Sequence, residues 1–238
     1  MALLSHGSVP SVFPADVHRH RKPGPEAGFY VRNAFHFLRP CSIRKLGYPV
    51  SAGIHPLHAG RISPLRLPEL ATMFGLPGVL AIGECGLDSR FPGLARQAEI
   101  FAWQVQQASA LGKPLILHLV KRDEQALKIL AGCPVPFLYH GFRGNAARLR
   151  KWLNNQNAWV SFGMALLRDP ALTDVFLACP PERRLLETDA SPLPVTELFG
   201  FLEKKTGIPA IYFMEKQMEN ARQFFGLTAL PIFDPQKP

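Results

Sequence analysis

The chain has 238 residues, with 27 Lys and Arg against 18 Asp and Glu, for a formal net charge of +9. Apolar residues make up 47% and charged residues 19%, which excludes general disorder; the length suits one large domain with a sizeable core. The longest apolar stretches are about six residues, against the roughly 20 a membrane helix needs, so a spanning segment is excluded.

The basic balance fits an acidic partner such as nucleic acid, although many basic proteins bind none. Residues 1–14 do not read as a secretory leader, because no basic stretch precedes an apolar one. Cys41, Cys85, Cys133 and Cys179 form no CxxC pair, so reduced thiols in the cytoplasm are expected. Nothing indicates an obligate protein partner.

Short apolar runs at residues 15–18, 29–35, 49–53, 79–83, 114–118, 137–140, 158–162 and 184–187 read as strands. Several are continuously apolar, as strands buried on both faces are. Longer amphipathic stretches at 92–111, 123–131, 145–154, 170–178, 195–206 and 209–225 read as helices, the last stopped by Gly226. The alternation predicts a parallel sheet, and at this length a TIM-like (β/α)8 barrel forming one domain over residues 1–238. Only about ten residues separate the first two strands, so a barrel distorted near its N-terminus is expected, with a doubly wound open sheet as the alternative.

The predicted strands end in residues that bind metals. His18 and His20, two apart on the first strand, point the same way. Glu84, His118, His140 and Asp189 follow at the ends of four later strands. Barrel active sites are built at that C-terminal face. Four imidazoles and two carboxylates suit a divalent ion, with Mg, Mn, Zn and Fe not distinguished. Six ligands exceed the need of one tetrahedral ion, which favours two ions with a bridging carboxylate. Singly, each residue has a plainer reading: Glu84 and Asp189 as helix caps, the histidines as core or surface groups. Their shared placement at strand ends outweighs those readings.

These residues also resemble a family. Asp16-x-His18-x-His20, Gly53-Ile-His55-Pro56, Gly83-Glu84-Cys85-Gly86-Leu87-Asp88, Lys113-Pro114-x-x-x-His118, His140-Gly141-Phe142-x-Gly144 and Glu187-Thr188-Asp189 occur in the order of the TatD-like metal-dependent deoxyribonucleases. Gln97-x-x-x-Phe101-x-x-Gln104 and Asn220-x-x-x-x-Phe225-Gly226 are similar to helices of that family, so the resemblance runs from about residue 15 to 227. It implies an amidohydrolase-type barrel cleaving DNA phosphodiesters with divalent metal, often from the 3′ end. It also implies that His18, His20 and Asp189 bind a first metal, His118 and His140 a second, and that Glu84 bridges them. The segment between His20 and Tyr30 is short, with Pro23, Gly24 and Pro25 where common members have a helix.

In the expected mechanism a metal-activated hydroxide attacks phosphorus, with Glu84 and Asp189 as catalytic residues and Asp189 as proton acceptor. Arg143, Lys121 and Arg122 are candidate phosphate contacts. For Arg143 a structural salt bridge is an equal reading, and for Lys121 and Arg122 a solvated helix start is the stronger one. His55 either lines the site, contacting substrate, or is a core or turn histidine. Glu187 either orients a ligand histidine or is a solvated strand-end carboxylate. Asp88 reads best as a helix cap, and Cys85 as a buried thiol rather than a nucleophile. Two other classes stay open: a hydrolase of a small ester, amide or phosphoester, and an inactive binding protein.

Overall fold

The computed structural model describes residues 12–22, 28–34, 43 and 46–234. Eight strands pair in chain order, every neighbouring pair parallel: β1 (Ala15–Arg19), β2 (Phe29–Asn33), β3 (Val50–Ala52), β4 (Val79–Asp88), β5 (Leu115–Val120), β6 (Phe137–Tyr139), β7 (Ala158–Phe162) and β8 (Arg184–Leu186). The ends of the sheet meet. The His20 N–H donates to the Asp189 carbonyl at 2.9 Å, and the Asp189 N–H to the His18 carbonyl at 3.0 Å. The buried Asp16 carboxylate reinforces this seam by accepting from Thr188 N–H (3.0 Å) and Oγ1 (2.6 Å). The fold is thus a (β/α)8-type barrel rather than an open sheet.

The helices between and after the strands are α1 (Pro56–Ala59), α2 (Leu67–Phe74), α3 (Leu94–Leu111), α4 (Asp123–Ile129), α5 (Ala146–Leu153), α6 (Pro170–Ala178), α7 (Thr196–Thr206) and α8 (Ala210–Phe225). The last six match the sequence expectation to within two residues or so at each end. The first two are additional. Their prolines, Pro56 and Pro68, break the apolar pattern, yet each stands in a first turn, where a missing N–H costs no hydrogen bond. Phe35, Cys41 and the Pro23–Pro25 stretch lie outside the described residues.

Buried amides and one ammonium replace the ladder where strands stop. Gln104 of α3 accepts from Ile54 N–H at 2.7 Å and donates to its carbonyl at 3.1 Å. Gln97 does the same for Asp88, at 2.8 and 3.2 Å. Gln217 of α8 accepts from Leu186 N–H and donates to the Ala15 and Leu186 carbonyls, tying β8 to β1. The Lys113 ammonium donates to the carbonyls of Phe74, Leu76 and Val79 at 2.6–2.9 Å, fixing the end of α2 against the start of β4. These contacts explain in physical terms why the Gln97, Gln104 and Lys113-Pro114 motifs are where they are.

Candidate metal centre

Two irregularities in the sheet aim the site. Between Ile82↔Leu115 and Cys85↔Leu117, β4 advances three residues against two in β5, a bulge that holds Gly83 and Glu84. Bulges re-aim side chains, and this one carries Glu84 into the histidines. The chain is so close here that a Cβ on Gly53 would stand 2.7 Å from Gly83 Cα, and one on Gly83 would stand 2.5 Å from the Ile116 carbonyl oxygen. Only glycine fits at either place. A matching slip between Asp16 and Arg19 of β1 frames His18. Ile116 and Leu138, one step deeper on the faces that carry His118 and His140, belong to a buried apolar cluster with Ala81 and Leu185.

Glu84 is the hub. Its Oε1 lies 2.7 Å from His20 Nε2, 2.8 Å from His18 Nε2 and 2.8 Å from the Asn33 amide. Its Oε2 lies 3.5 Å from His118 Nδ1, 3.5 Å from His55 Nε2 and 3.7 Å from His140 Nε2. Asp189 Oδ1 closes the first group, 3.2 Å from His20 Nε2 and 3.9 Å from His18 Nε2. Each oxygen of one buried carboxylate therefore faces its own set of imidazoles. All six sequence-predicted ligands converge, and His55 joins them; Glu84 and His118 do so from within β4 and β5, which run on to Asp88 and Val120, rather than from the strand ends the sequence suggested.

The donor set fits divalent cations. One ligand atom each from His18, His20, Glu84 and Asp189 falls within 4.8 Å of the others. His18 is fully buried, and among the described residues neither of its ring nitrogens makes a hydrogen bond; the 2.8 Å approach of Nε2 to Glu84 lies off the N–H direction. A buried polar atom left this way costs about 1–3 kcal/mol, which a lone pair turned to a cation recovers. Charge tells the same story. Burial works against ionised Glu84, but His140, His18 and His118 outweigh it and hold its carboxyl well below the usual range. Hydrogen bonds to Asp189 and Glu84 raise His20 to about 10. Burial opposes protonation of His140, yet Glu84 and Glu187 raise it to about 9. Protons here supply the positive charge that the carboxylates require, and bound cations would displace them.

The outer hydrogen bonds select which nitrogen of each ring is free. His118 Nε2 donates to Asp88 Oδ2 at 2.9 Å, leaving Nδ1 toward Glu84 and 3.3 Å from His140 Nε2. His140 Nδ1 faces Glu187 Oε1 at 3.3 Å, leaving Nε2, and Glu187 Oε2 is itself held by Ser161 Oγ at 2.5 Å. His55 is the opposite case. Its Nδ1 accepts from Leu57 N–H at 3.1 Å, so the neutral ring carries its proton on Nε2. Burial and His118 lower His55 to about 4, keeping it neutral. Within ligand distance of Glu84, His55 thus presents an N–H rather than a lone pair. It is both a helix cap for α1 and a lining residue, where the sequence separated those roles.

Asp88 is a correction to the sequence reading. It caps no helix: it ends β4, is fully buried, and binds Arg90 (2.6 Å) and His118. The N-cap of α3 is Gly93. Cys85 is buried, and desolvation pushes its thiol well above its usual range, which removes it as a nucleophile.

Arg143 is exposed and lines a small cavity of about 160 Å³ that also holds Glu187 and Asp189. Lys121 and Arg122 instead line a broader groove of about 800 Å³ between α4 and α5. There Arg148 is paired with Asp123 and Lys151 with Glu124. Lys121 is exposed, whereas Arg122, which precedes the first turn of α4, is half-buried with its Nε shut from solvent. Among the described residues, no helix is long and apolar enough to cross a membrane.

The family profile described as "TatD related DNase" matches residues 40–226. The chain belongs to this family. Among curated relatives, an uncharacterized metal-dependent hydrolase TatD from Mycobacterium tuberculosis is 32% identical over 154 residues, 59% of this chain and 57% of that protein. A 3′-5′ ssDNA/RNA exonuclease TatD from Klebsiella pneumoniae is 31% identical over 154 residues, 59% of this chain and 56% of that protein. The chain thus matches less than two thirds of the length of these TatD relatives. Among solved structures, the TatD homologue YJJV from Escherichia coli superposes with a TM-score of 0.73 at 20% identity, covering 84% of this chain and 87% of that one. A TatD-family hydrolase from Entamoeba histolytica gives 0.71 at 15% identity, covering 82% and 84%. These two confirm the barrel.

Proposed function

We propose that this TatD-family chain is a divalent-metal-dependent deoxyribonuclease that hydrolyses phosphodiester bonds at a two-ion site. The observation that carries it is Glu84, whose two oxygens face separate histidine groups beside the unsatisfied ring of His18. His18, His20, Glu84 and Asp189 would hold one ion; Glu84, His118 and His140 would hold the other. Bound there, the ions supply positive charge to the phosphoryl oxygens and make water more acidic. Several ions suit such ligands, Mg, Mn, Zn and Fe among them.

The remaining steps belong to the side chains. Asp189 is half-exposed; His20 and His18 outweigh its burial and hold its carboxyl below the usual range, so it is ionised and accepts the proton of the attacking water. Glu84 sets the spacing of the two histidine groups. Asp88 and Glu187 fix the tautomers of His118 and His140. His55 donates from Nε2 to Glu84 or to a substrate oxygen. Arg143 contacts phosphate beside Asp189, and Lys121 and Arg122 offer further positive charge at the rim. The net charge of +9 and the names of the curated relatives support nucleic acid as substrate. Three free, buried thiols, Cys85, Cys133 and Cys179, support a reducing, cytoplasmic setting.

The test is nucleotide release from 3′-labelled single-stranded DNA with Mg²⁺ or Mn²⁺, with EDTA, and with Glu84→Gln. The expected result is metal-dependent release absent from the variant. Stoichiometric metal binding without release from any oligonucleotide contradicts the nuclease and transfers the site to a small ester, amide or phosphoester.

A further inference from the structure

The cavity beside Asp189 does not end there. It shares Arg143, Met164 and Ser191 with a wider groove of about 640 Å³ that continues past Leu167 and Arg168 to Leu193. The wider part is within the roughly 300–1,000 Å³ that ligand sites occupy. Its walls come from the loops after β6, β7 and β8, at the same end of the barrel as the histidines.

The groove combines apolar and cationic side chains. Met164, Leu167 and Leu193 give it an apolar side, and Leu193 is 42% exposed. Arg143 and Arg168 are exposed on it, and among the described residues neither guanidinium has an ion-pair or side-chain hydrogen-bond partner. Asp169, the acid in the groove, is turned to another task, capping α6 by accepting from Leu172 N–H at 3.2 Å. Free cations beside an apolar face suit a single strand, whose bases rest on apolar surface while guanidinium takes phosphate. The α4–α5 groove is larger, and among the described residues its Lys121, Arg122 and Lys128 have no ion-pair partner, but no residue of the candidate metal centre lines it, and two of its cations are neutralised by carboxylates.

From this continuity we infer that the groove from Asp189 through Arg143 to Arg168 and Leu193 holds the nucleotides adjoining the scissile bond of a single-stranded nucleic acid. This rests on the nuclease reading of the same site and adds a path for the strand. Arg143 and Arg168 each neutralise a phosphate, and Leu193 with Met164 supports the bases.

The probe is a fluorescein-labelled 12-nucleotide strand with phosphorothioate linkages, as DNA and separately as RNA, bound to Mg²⁺-loaded protein and followed by anisotropy against salt. Arg143→Glu with Arg168→Glu is expected to weaken binding at least about tenfold and to lower the log–log salt slope by about 1.4, the loss for two single-strand phosphate contacts. Leu193→Ala is expected to weaken binding with the slope unchanged. Lys204→Glu, exposed on α7 and outside both grooves, is expected to have little effect. Unchanged affinity in the arginine pair, or a larger loss in Lys121→Glu with Lys128→Glu, overturns the groove assignment. Groove-dependent binding without metal-dependent cleavage of the ordinary phosphodiester strand overturns the nuclease and keeps the groove. Cleavage with no dependence on Arg143 or Arg168 overturns the groove alone.

Discussion

The two histidine groups of the candidate metal centre share Glu84 and are otherwise built by opposite means. On the β1 side, His18 has no hydrogen bond at either nitrogen among the described residues, and His20 Nε2 faces the carboxylates of Glu84 and Asp189, themselves candidate ligands. On the β5–β6 side, His118 is backed by Asp88 and His140 by Glu187, so the nitrogens they turn inward, 3.3 Å apart, are set before any ion arrives. The first half is held by the Glu84 and Asp189 carboxylates and by the β1–β8 seam. The second is held by carboxylates outside it. The first site should therefore respond most to loss of a ligand, and the second should also respond to changes one layer out.

Glu84→Gln strikes both halves at once and gives the largest effect. Turnover on single-stranded DNA should fall by more than about 10³-fold, because the several kcal/mol of charge stabilisation supplied by bound ions depends on it. Titration of metal by calorimetry should show both sites weakened; one site left intact would break the account of Glu84 as a shared ligand. Next come Asp88→Asn and Glu187→Gln. Each is expected to weaken one of the two metal sites by about 10–100-fold while leaving the other unchanged. Equal weakening of both sites would erase the distinction between the halves.

His55→Ala sharpens the same comparison with a smaller effect. A neutral hydrogen bond is worth about 0.5–1.5 kcal/mol, so turnover should drop about tenfold or less while two ions still bind. Loss of an ion in this variant would make His55 a ligand and void the tautomer argument. The smallest effect lies outside the centre. Asp123 accepts from Arg148 and from Trp152 Nε1, and these contacts outweigh burial to lower its carboxyl. Its contribution to stability is fully present above the unfolded value of 3.8 and is lost as pH falls below it. Asp123→Asn should cost about 1–3 kcal/mol in denaturant unfolding at pH 7 without altering metal binding.

Strand ends were the part of the site legible in the sequence. A continuous apolar run that reaches His118 or stops at the residue before His140 marks a buried strand near its outlet, so candidate ligands could be placed without knowing any contact, although β4 runs past Glu84 to Asp88 and β5 past His118 to Val120. Asp88 was not legible, because its partner His118 lies 30 residues on and their meeting depends on how β4 and β5 register. Nor was the bulge at Gly83–Glu84, although Gly53, Gly83 and Gly86 signal close backbone approach once the neighbouring strands are known. His55 was ambiguous because its role depends on which ring nitrogen accepts from Leu57, a matter of local turn geometry. The grooves were beyond reach for a different reason. Arg143 and Arg168 look like any two surface cations until the loops after β6 and β7 place them on one wall.

The most direct test of the central claim is metal content after dialysis, by mass spectrometry, for the wild-type chain and for His18→Gln and His140→Gln. Two ions per chain in the wild type, and one in each variant, are the expected result. A single ion in the wild type that both variants lose would contradict the two-ion site and leave Glu84 an ordinary ligand of one metal.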